Sequence, residues 1–585
     1  MERRTLLAII LVLLVLAANQ VLFNQYTRAK RKHAPPVPTE PTPGALPTGP
    51  DSGAPAPGGP GIRTPGRAET GGFAPQAERT ADAERGVGAR PGVPVAPRLE
   101  RTLRGEGFEV TFASDGGSIS HWVLTRYRDP VRRRNRVDLV PDGVRTVQVR
   151  VRTGFGEFDF AEAPFRLTGD DSAAGSIRFE AVDSSGLRVE KSYRLSPDRR
   201  LLDLQLTVSA PPELGALSYR LGWGAPLPIT EASAHIQDHQ GVAYLGQKLV
   251  TAPTLPRGKE KSDQRVESGN VRWVGQRTRY FIAAVVPDSE SVGEALLQYG
   301  RWSPPPLPEV RLPSNDLVAA TAWLSGGAPP GTEIIRRARL YAGPIQYERL
   351  QAVGAGLEVA VNLGWKWLVP LSVLLLKLLN ILHRIIPNYG IAIVLLSAAT
   401  KLVFYPLTQS SLRTMKVMHR LQPQVEAIKE KHKNDPQKMN TAMMKLYQEN
   451  KVNPLGGCLP MLLQIPVFFA LYNVLLFSIE LRAAPFVGYI QDLSAPDVLM
   501  RVGGFPVHLM PFIMTASSYL MQWQTPVDPR QKVTMYLMPL MMLVFLYSFP
   551  VGVIIYWTVN NLLSALQQFL VNRAEDRRLS AQASG

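Results

Sequence analysis

Residues 389–407, YGIAIVLLSAATKLVFYPL, are apolar except for one charge, Lys401. At about 1.5 Å rise per residue the stretch reaches roughly 28 Å, enough to cross the hydrocarbon layer of a bilayer. Lys401 stands roughly 20 Å along from Pro387, within membrane depth. A lysine at mid-membrane costs about 2.5 to 3.5 kcal/mol on insertion scales, so it faces water, a partner charge or a functional cavity. The chain therefore reads as a helical membrane protein, and its function turns on what Lys401 meets.

Working outward, residues 388–411, 455–479, 506–523, 533–548 and 551–571 form five apolar spans. Residues 5–23, behind Arg3 and Arg4, form a sixth, an uncleaved anchor within 1–24, since no small-x-small cleavage site follows Leu16. Arg28, Lys30, Arg31 and Lys32 follow it and weigh against export, but that rule weakens before a long translocated domain. Residues 413–451 are the short loop richest in Lys and Arg, and the short basic tail 574–585 carries Arg577 and Arg578. This predicts both termini and the loop in the cytoplasm, in a bacterial inner membrane. Between anchor and core, 351–387 is an interfacial segment, apolar but interrupted by Lys366, Pro370, Lys377, His383 and Arg384.

Residues 25–99 are a disordered tether: from 35 to 98 about two-fifths are Pro or Gly, and large apolar residues are nearly missing. From 100 to 350 the period becomes two. Leu202, Leu204, Leu206 and Val208 alternate with Asp203, Gln205 and Thr207, and Asp183-Ser184-Ser185-Gly186 supplies a turn between two further alternating runs. Such strands predict a large periplasmic antiparallel β-sandwich. His235, Asp238 and His239 within it match no metal-ligand spacing and read as ordinary loop residues.

A net charge of +17 suits nucleic acid in principle, but the basic residues are scattered and no nucleic-acid motif accompanies them, so an anionic membrane surface is the better partner. The single cysteine, Cys458, excludes an intramolecular disulfide and a multi-cysteine metal site. No P-loop, nucleophile-base pair or metal motif is present, so neither an enzyme nor a cofactor is expected.

The spans of the core 388–573 hold no Asp or Glu at depth. A proton-coupled or ion-coupled transporter needs such groups to move charge in steps. Lys401 thus reads as the positive floor of a wet groove, with Ser397, Tyr405 and Thr408 on its helical face. Gln464, Tyr556, Trp557, Asn560 and Asn561 complete the candidate lining, although intramembrane amides also serve simply to bond helices together. Within 412–451, Met415 and Met418 belong to one apolar stripe and Met439 and Met443 to another. Asp435 suits an N-cap and Pro436 a first helical position, which predicts a helical hairpin. That hairpin fits two roles, a solvated structural element or a landing surface for an apolar client or partner.

Several motifs recur in order across the core: Tyr405-Pro406-Leu407-Thr408; Asn453-Pro454-Leu455-Gly456-Gly457-Cys458 with Pro460; Gln464-Ile465-Pro466; Glu480-Leu481-Arg482 with Ala484-Pro485-Phe486; Phe549-Pro550-x-Gly552; then Tyr556-Trp557 and Asn560-Asn561-Leu562. In these the chain resembles the YidC/Oxa-type membrane protein insertases, in the long Gram-negative YidC form. The resemblance implies a five-helix insertase core around a hydrophilic groove open to cytoplasm and lipid, behind an anchor and a periplasmic β-domain. It implies insertion and chaperoning of newly made membrane proteins without nucleotide hydrolysis, alone or with the Sec translocon. Translating ribosomes are also partners in the family, but the basic tail here is short. The family's groove usually carries arginine where this chain has Lys401, which keeps the charge and loses the planar fork of donors.

Overall fold

A computed structural model of the protein describes residues 99–129, 136–231, 239–251, 264–288, 292–302, 317–432, 435–450, 452, 459–524 and 532–583. The expected anchor and tether, His235, Asp238 and the motif ending at Cys458 lie outside the described residues. The described residues up to 524 and those from 538 onward belong to one compact unit; 532–537, which are helical, belong to another.

In the β-domain, Leu202, Leu204, Leu206 and Val208 are all buried while the residues between them are half-buried. Their strand, Leu202–Ser209, pairs antiparallel with Arg188–Leu195 on one side and Ile334–Pro344 on the other. The predicted turn forms beside it: Asp183 Oδ1 accepts from the backbone N–H groups of Ser185 (2.8 Å) and Leu187 (3.1 Å), and Gly186 takes φ 83°. Such a φ suits glycine, which has no Cβ to clash. A four-stranded sheet begins at Glu100–Arg104, and a 14-stranded sheet contains the long strand Gln264–Arg277, which pairs with Val292–Trp302 and with Phe281–Pro287. Residues from both stretches of this large sheet share one apolar core with Phe112, Trp122, Phe179, Tyr193 and Trp223. The sheet thus folds over itself as the expected antiparallel sandwich.

Two polar groups are built into that sandwich. Lys191 is fully buried on the inward face of its strand; its ammonium donates to Gly116 O (2.6 Å) and Val147 O (2.9 Å) and lies 5.1 Å from the Phe165 ring centre. Burial pushes it down to about 7. At the surface, His121 Nδ1 meets Asp138 Oδ2 at 2.6 Å, while Asp138 Oδ1 accepts from the backbone N–H groups of Trp122 and Val140. The hydrogen bond with Asp138 holds the imidazole above its ordinary value. A base whose pKa rises on folding contributes stability below its unfolded value, near 6.5, and loses it as pH climbs through the raised value. The imidazole is partly exposed, so the contribution is about 1 kcal/mol or less. Thermal unfolding of the β-domain between pH 6 and 8 should show this loss, and His121→Ala should flatten it.

Nine α-helices follow in the described chain, with a two-stranded hairpin, Met500–Val502 and Phe505–Val507, before the seventh: α1 Tyr347–Val353, α2 Val369–Ile385, α3 Tyr389–Arg420, α4 Gln422–Lys431, α5 Pro436–Glu449, α6 Leu459–Phe477, α7 Met510–Trp523, α8 Lys532–Leu546 and α9 Val551–Ala583. Within α3, Tyr389–Leu412 is long and apolar enough to cross a membrane. The second core gathers Leu375 and Leu379 of α2, Ile393 and Leu396 of α3, Ala470, Leu471 and Val474 of α6, and Val551 and Ile555 of α9. Gly390 sits where α3 meets the loop after α6: a Cβ there would come within 2.0 Å of the Phe486 ring, and Asn388 Nδ2 donates to Phe486 O (3.0 Å). A distant loop starts α7, with Asp497 Oδ2 accepting from the N–H groups of Leu509 (2.8 Å) and Met510 (2.9 Å). In the hairpin, Asp435 caps α5 by accepting from Lys438 N (3.0 Å), and Pro436 takes the first turn, where a missing N–H costs nothing.

The β-domain is fastened to the helical region by buried polar contacts. After α6 the chain makes the short turn Ile479–Leu481, and Ile479 packs into the β-domain core. Arg482 follows, only 3% exposed, with Nε 2.6 Å from Glu231 Oε1 and a second nitrogen 3.3 Å from Thr230 O. Its guanidinium lies 5.2 Å from the Phe281 ring centre, and Tyr280 donates from its hydroxyl to Leu476 O (3.4 Å). Burial pushes the Glu231 carboxyl up, and Arg482 holds it partly back.

Candidate functional site

The site lies where α3, α6 and α9 converge. Lys401 donates from Nζ to Ser564 Oγ at 2.7 Å, and Ser564 in turn donates to Asn560 O at 2.7 Å. A slot of about 10 Å³ opens beside the ammonium, lined by Thr400, Lys401, Phe404 and Thr408 of α3, Gln464 and Val467 of α6, and Tyr556 of α9. That volume holds about one water-sized sphere. The expected groove is therefore a narrow slot in this conformation. Among the described residues no carboxylate comes within 4.0 Å of Lys401.

Sequence and geometry explain why these side chains meet. Thr400 and Lys401 with Phe404 and Thr408 follow steps of three and four along α3, and Tyr556, Asn560 and Ser564 follow steps of four along α9. Pro406 lies in the same helix and has no N–H to give Leu402 O, which loosens the helix beside the slot. Thr408 donates to Phe404 O (2.9 Å) and so keeps its hydroxyl proton within its own turn.

Of the eight candidate groove residues, Lys401, Gln464 and Tyr556 line the slot. Ser397 is fully buried and donates to Ile393 O (2.7 Å), away from the lining. Tyr405 is exposed on the outer side of α3, and its carbonyl accepts weakly from Gln567 (3.5 Å). Trp557 packs its ring edge on Phe468, with centres 5.1 Å apart. Asn560 donates to Tyr556 O (3.3 Å), and its carbonyl accepts from Ser564 (2.7 Å). Asn561 is buried and joins α9 to α7 through Ser517 (3.1 Å) and Ser518 (2.7 Å). Thr400, Phe404 and Ser564 were not anticipated; for Ser564 the available signal was its four-residue step from Asn560.

On the hairpin, Met418, Met439 and Met443 are half-buried, and the Met415 side chain lies outside the described ones. Met444, one step off the stripe of Met439 and Met443, is exposed. In the β-domain His239 is buried.

Comparison with known proteins covers both halves of the chain. Residues 381–578 match the family model described as "60Kd inner membrane protein", and residues 102–374 match the one described as "YidC periplasmic domain". A protein of Geobacter sulfurreducens named "Membrane protein insertase YidC" is 34% identical over 80% of this chain and 85% of its own length. Proteins of the same name from Syntrophus aciditrophicus (33%, over 80% and 83%) and Coxiella burnetii (32%, over 81% and 82%) are similar to about the same degree. A crystal structure described as "Active YidC insertase crystal structure with the first transmembrane domain resolved" aligns over 81% of this chain and 92% of its own at 18% identity and a TM-score of 0.34.

Proposed function

This chain belongs to the YidC family of membrane protein insertases, and from that premise we propose how its residues act: a client's polar flank is received at the Lys401 slot while its apolar segment moves into lipid beside α6 and α9. The protein is an inner-membrane insertase with a periplasmic β-domain. Both termini and the hairpin 412–451 lie in the cytoplasm, and the client reaches the apolar stripes of the hairpin first. The three helices part to widen the slot. Lys401, Gln464 and the Thr400 hydroxyl then replace part of the hydration of the polar flank, which lowers the barrier to its crossing. Apolar burial supplies the driving force, so no nucleotide is consumed. The same surface shelters partly folded clients as a chaperone, alone or beside the Sec translocon.

The observation that carries this reading is a membrane-depth ammonium held by one hydroxyl, among polar side chains and with no carboxylate nearby among the described residues. A charge-relay transporter is the rival reading, and the missing acid disfavours it. Purified protein in liposomes free of other proteins should insert a short client, read by protease protection. Solute flux abolished by Lys401 substitution, with no client insertion, would favour the transporter.

A further inference from the structure

A second cavity, of about 160 Å³, lies in the β-domain among Glu106, Arg126, Tyr127, Arg200, Tyr341 and Arg349. Its charges do not balance. Glu106 serves two guanidiniums, Arg200 at 2.7 Å and Arg126 at 4.0 Å, and the bond from Arg200 holds its carboxyl below the usual range. Asp198, the other acid at the cavity, has its Oδ1 engaged by Ser196 Oγ (2.7 Å) and Arg200 N (3.1 Å) within its own turn. Arg349, half-buried on α1, has no ion-pair partner within 4.0 Å among the described residues. Three guanidiniums thus face two carboxylates, one of them already spent on a turn.

The neutral groups point the same way. Tyr341 spends its proton on Pro344 O (2.7 Å) and presents its ring. The Tyr127 hydroxyl makes no hydrogen bond among the described residues, and burial keeps it protonated as a donor. Guanidinium forks and a phenol donor around a cavity far larger than the roughly 10–15 Å³ one water needs are a phosphate-binding chemistry.

Position narrows the source. The Tyr127 ring stands edge-on to Phe281, 5.7 Å between centres, and Phe281 is the ring covered by Arg482 at the outer end of α6. The cavity therefore sits on the side of the β-domain that meets the membrane-embedded helices. We propose that it binds a phosphate group, that of an anionic lipid headgroup at the outer membrane surface, with Arg349 as the main anchor and Arg126 and Arg200 at the mouth.

The full-length protein in nonionic detergent, at fixed ionic strength, tests this by thermal shift and calorimetry. The probes are dihexanoyl phosphatidylglycerol, inorganic phosphate and an uncharged glycoside of matching chain length. Saturable stabilisation by the phosphatidylglycerol, weakened about tenfold or more in Arg349→Gln and also in the more exposed Arg126→Gln, is the expected result. Equal saturable binding of inorganic phosphate, with the same dependence on both arginines, keeps the phosphate site and assigns its source to a free phosphate. Matching shifts with the uncharged glycoside, or affinities unchanged in folded Arg349→Gln and Arg126→Gln, would overturn the proposal.

Discussion

Arg482→Ala is expected to cost the β-domain and its junction with the helices about 3 to 5 kcal/mol. Both partners of the pair are largely out of water, at 3% and 12% exposure, so removing the guanidinium strands the Glu231 carboxylate beside Thr230 alone. Urea unfolding read by the buried Trp122, Trp223 and Trp273 measures the loss. The variant should also acquire a pH dependence. Burial already raises the Glu231 carboxyl, and without Arg482 only the Thr230 hydroxyl holds it back, so the folded state keeps a proton that the unfolded chain has released. Stability of the variant then falls as pH rises above about 4.5. Pairing Arg482→Met with Glu231→Gln should recover most of the loss, because the penalty lies in the orphaned charge rather than in the missing attraction. A loss under about 1 kcal/mol in Arg482→Ala would show that the two parts are held together by other contacts.

Lys401→Glu is expected to slow client insertion by about tenfold or more while the protein stays in the membrane. The ammonium is the charged donor of the slot, and a charge-assisted hydrogen bond is worth about 1.5 to 3 kcal/mol, or about a tenfold effect or more in rate. A carboxylate there removes the donor and repels acidic client flanks. Lys401→Arg should remain close to the original, since the positive charge persists and Ser564 Oγ can still accept. Ser564→Ala should have a smaller effect than Lys401→Glu, because it releases the ammonium without removing it. Insertion of several clients in a strain depleted of its own insertase provides the measurement. Unchanged rates for every client with Lys401→Glu would contradict a role for the charge.

What could be read from sequence follows the range of the interactions. The strand at Leu202–Ser209 declared itself because its apolar period of two is local, and both its pairings bury the face which that period selects. The Asp435 cap was equally legible, since cap and helix are adjacent. Lys191 was not: alternation places it on a buried face, and its two carbonyl partners lie 75 and 44 residues away. Arg482 stood within a recognisable motif, but its partner Glu231 lies 251 residues back, in a different part of the fold. The slot shows the same limit at finer scale. Asn560 and Asn561 differ by about 100° around their helix, so one step in sequence separates a residue joined to the Lys401 network from one that bonds α7. Ser397 and Tyr405 share the nominal face of Lys401, but neighbouring helices bury the first and leave the second outside.

Site-specific photocrosslinking to a stalled client chain tests the central claim most directly. A photoreactive residue at Thr400 or Gln464 should crosslink the polar flank of the client, whereas one at Ser397 or Asn561, outside the slot lining, should not. Crosslinks confined to the hairpin or to the lipid-facing side of α3, with none from Thr400 or Gln464, would contradict passage through the Lys401 slot.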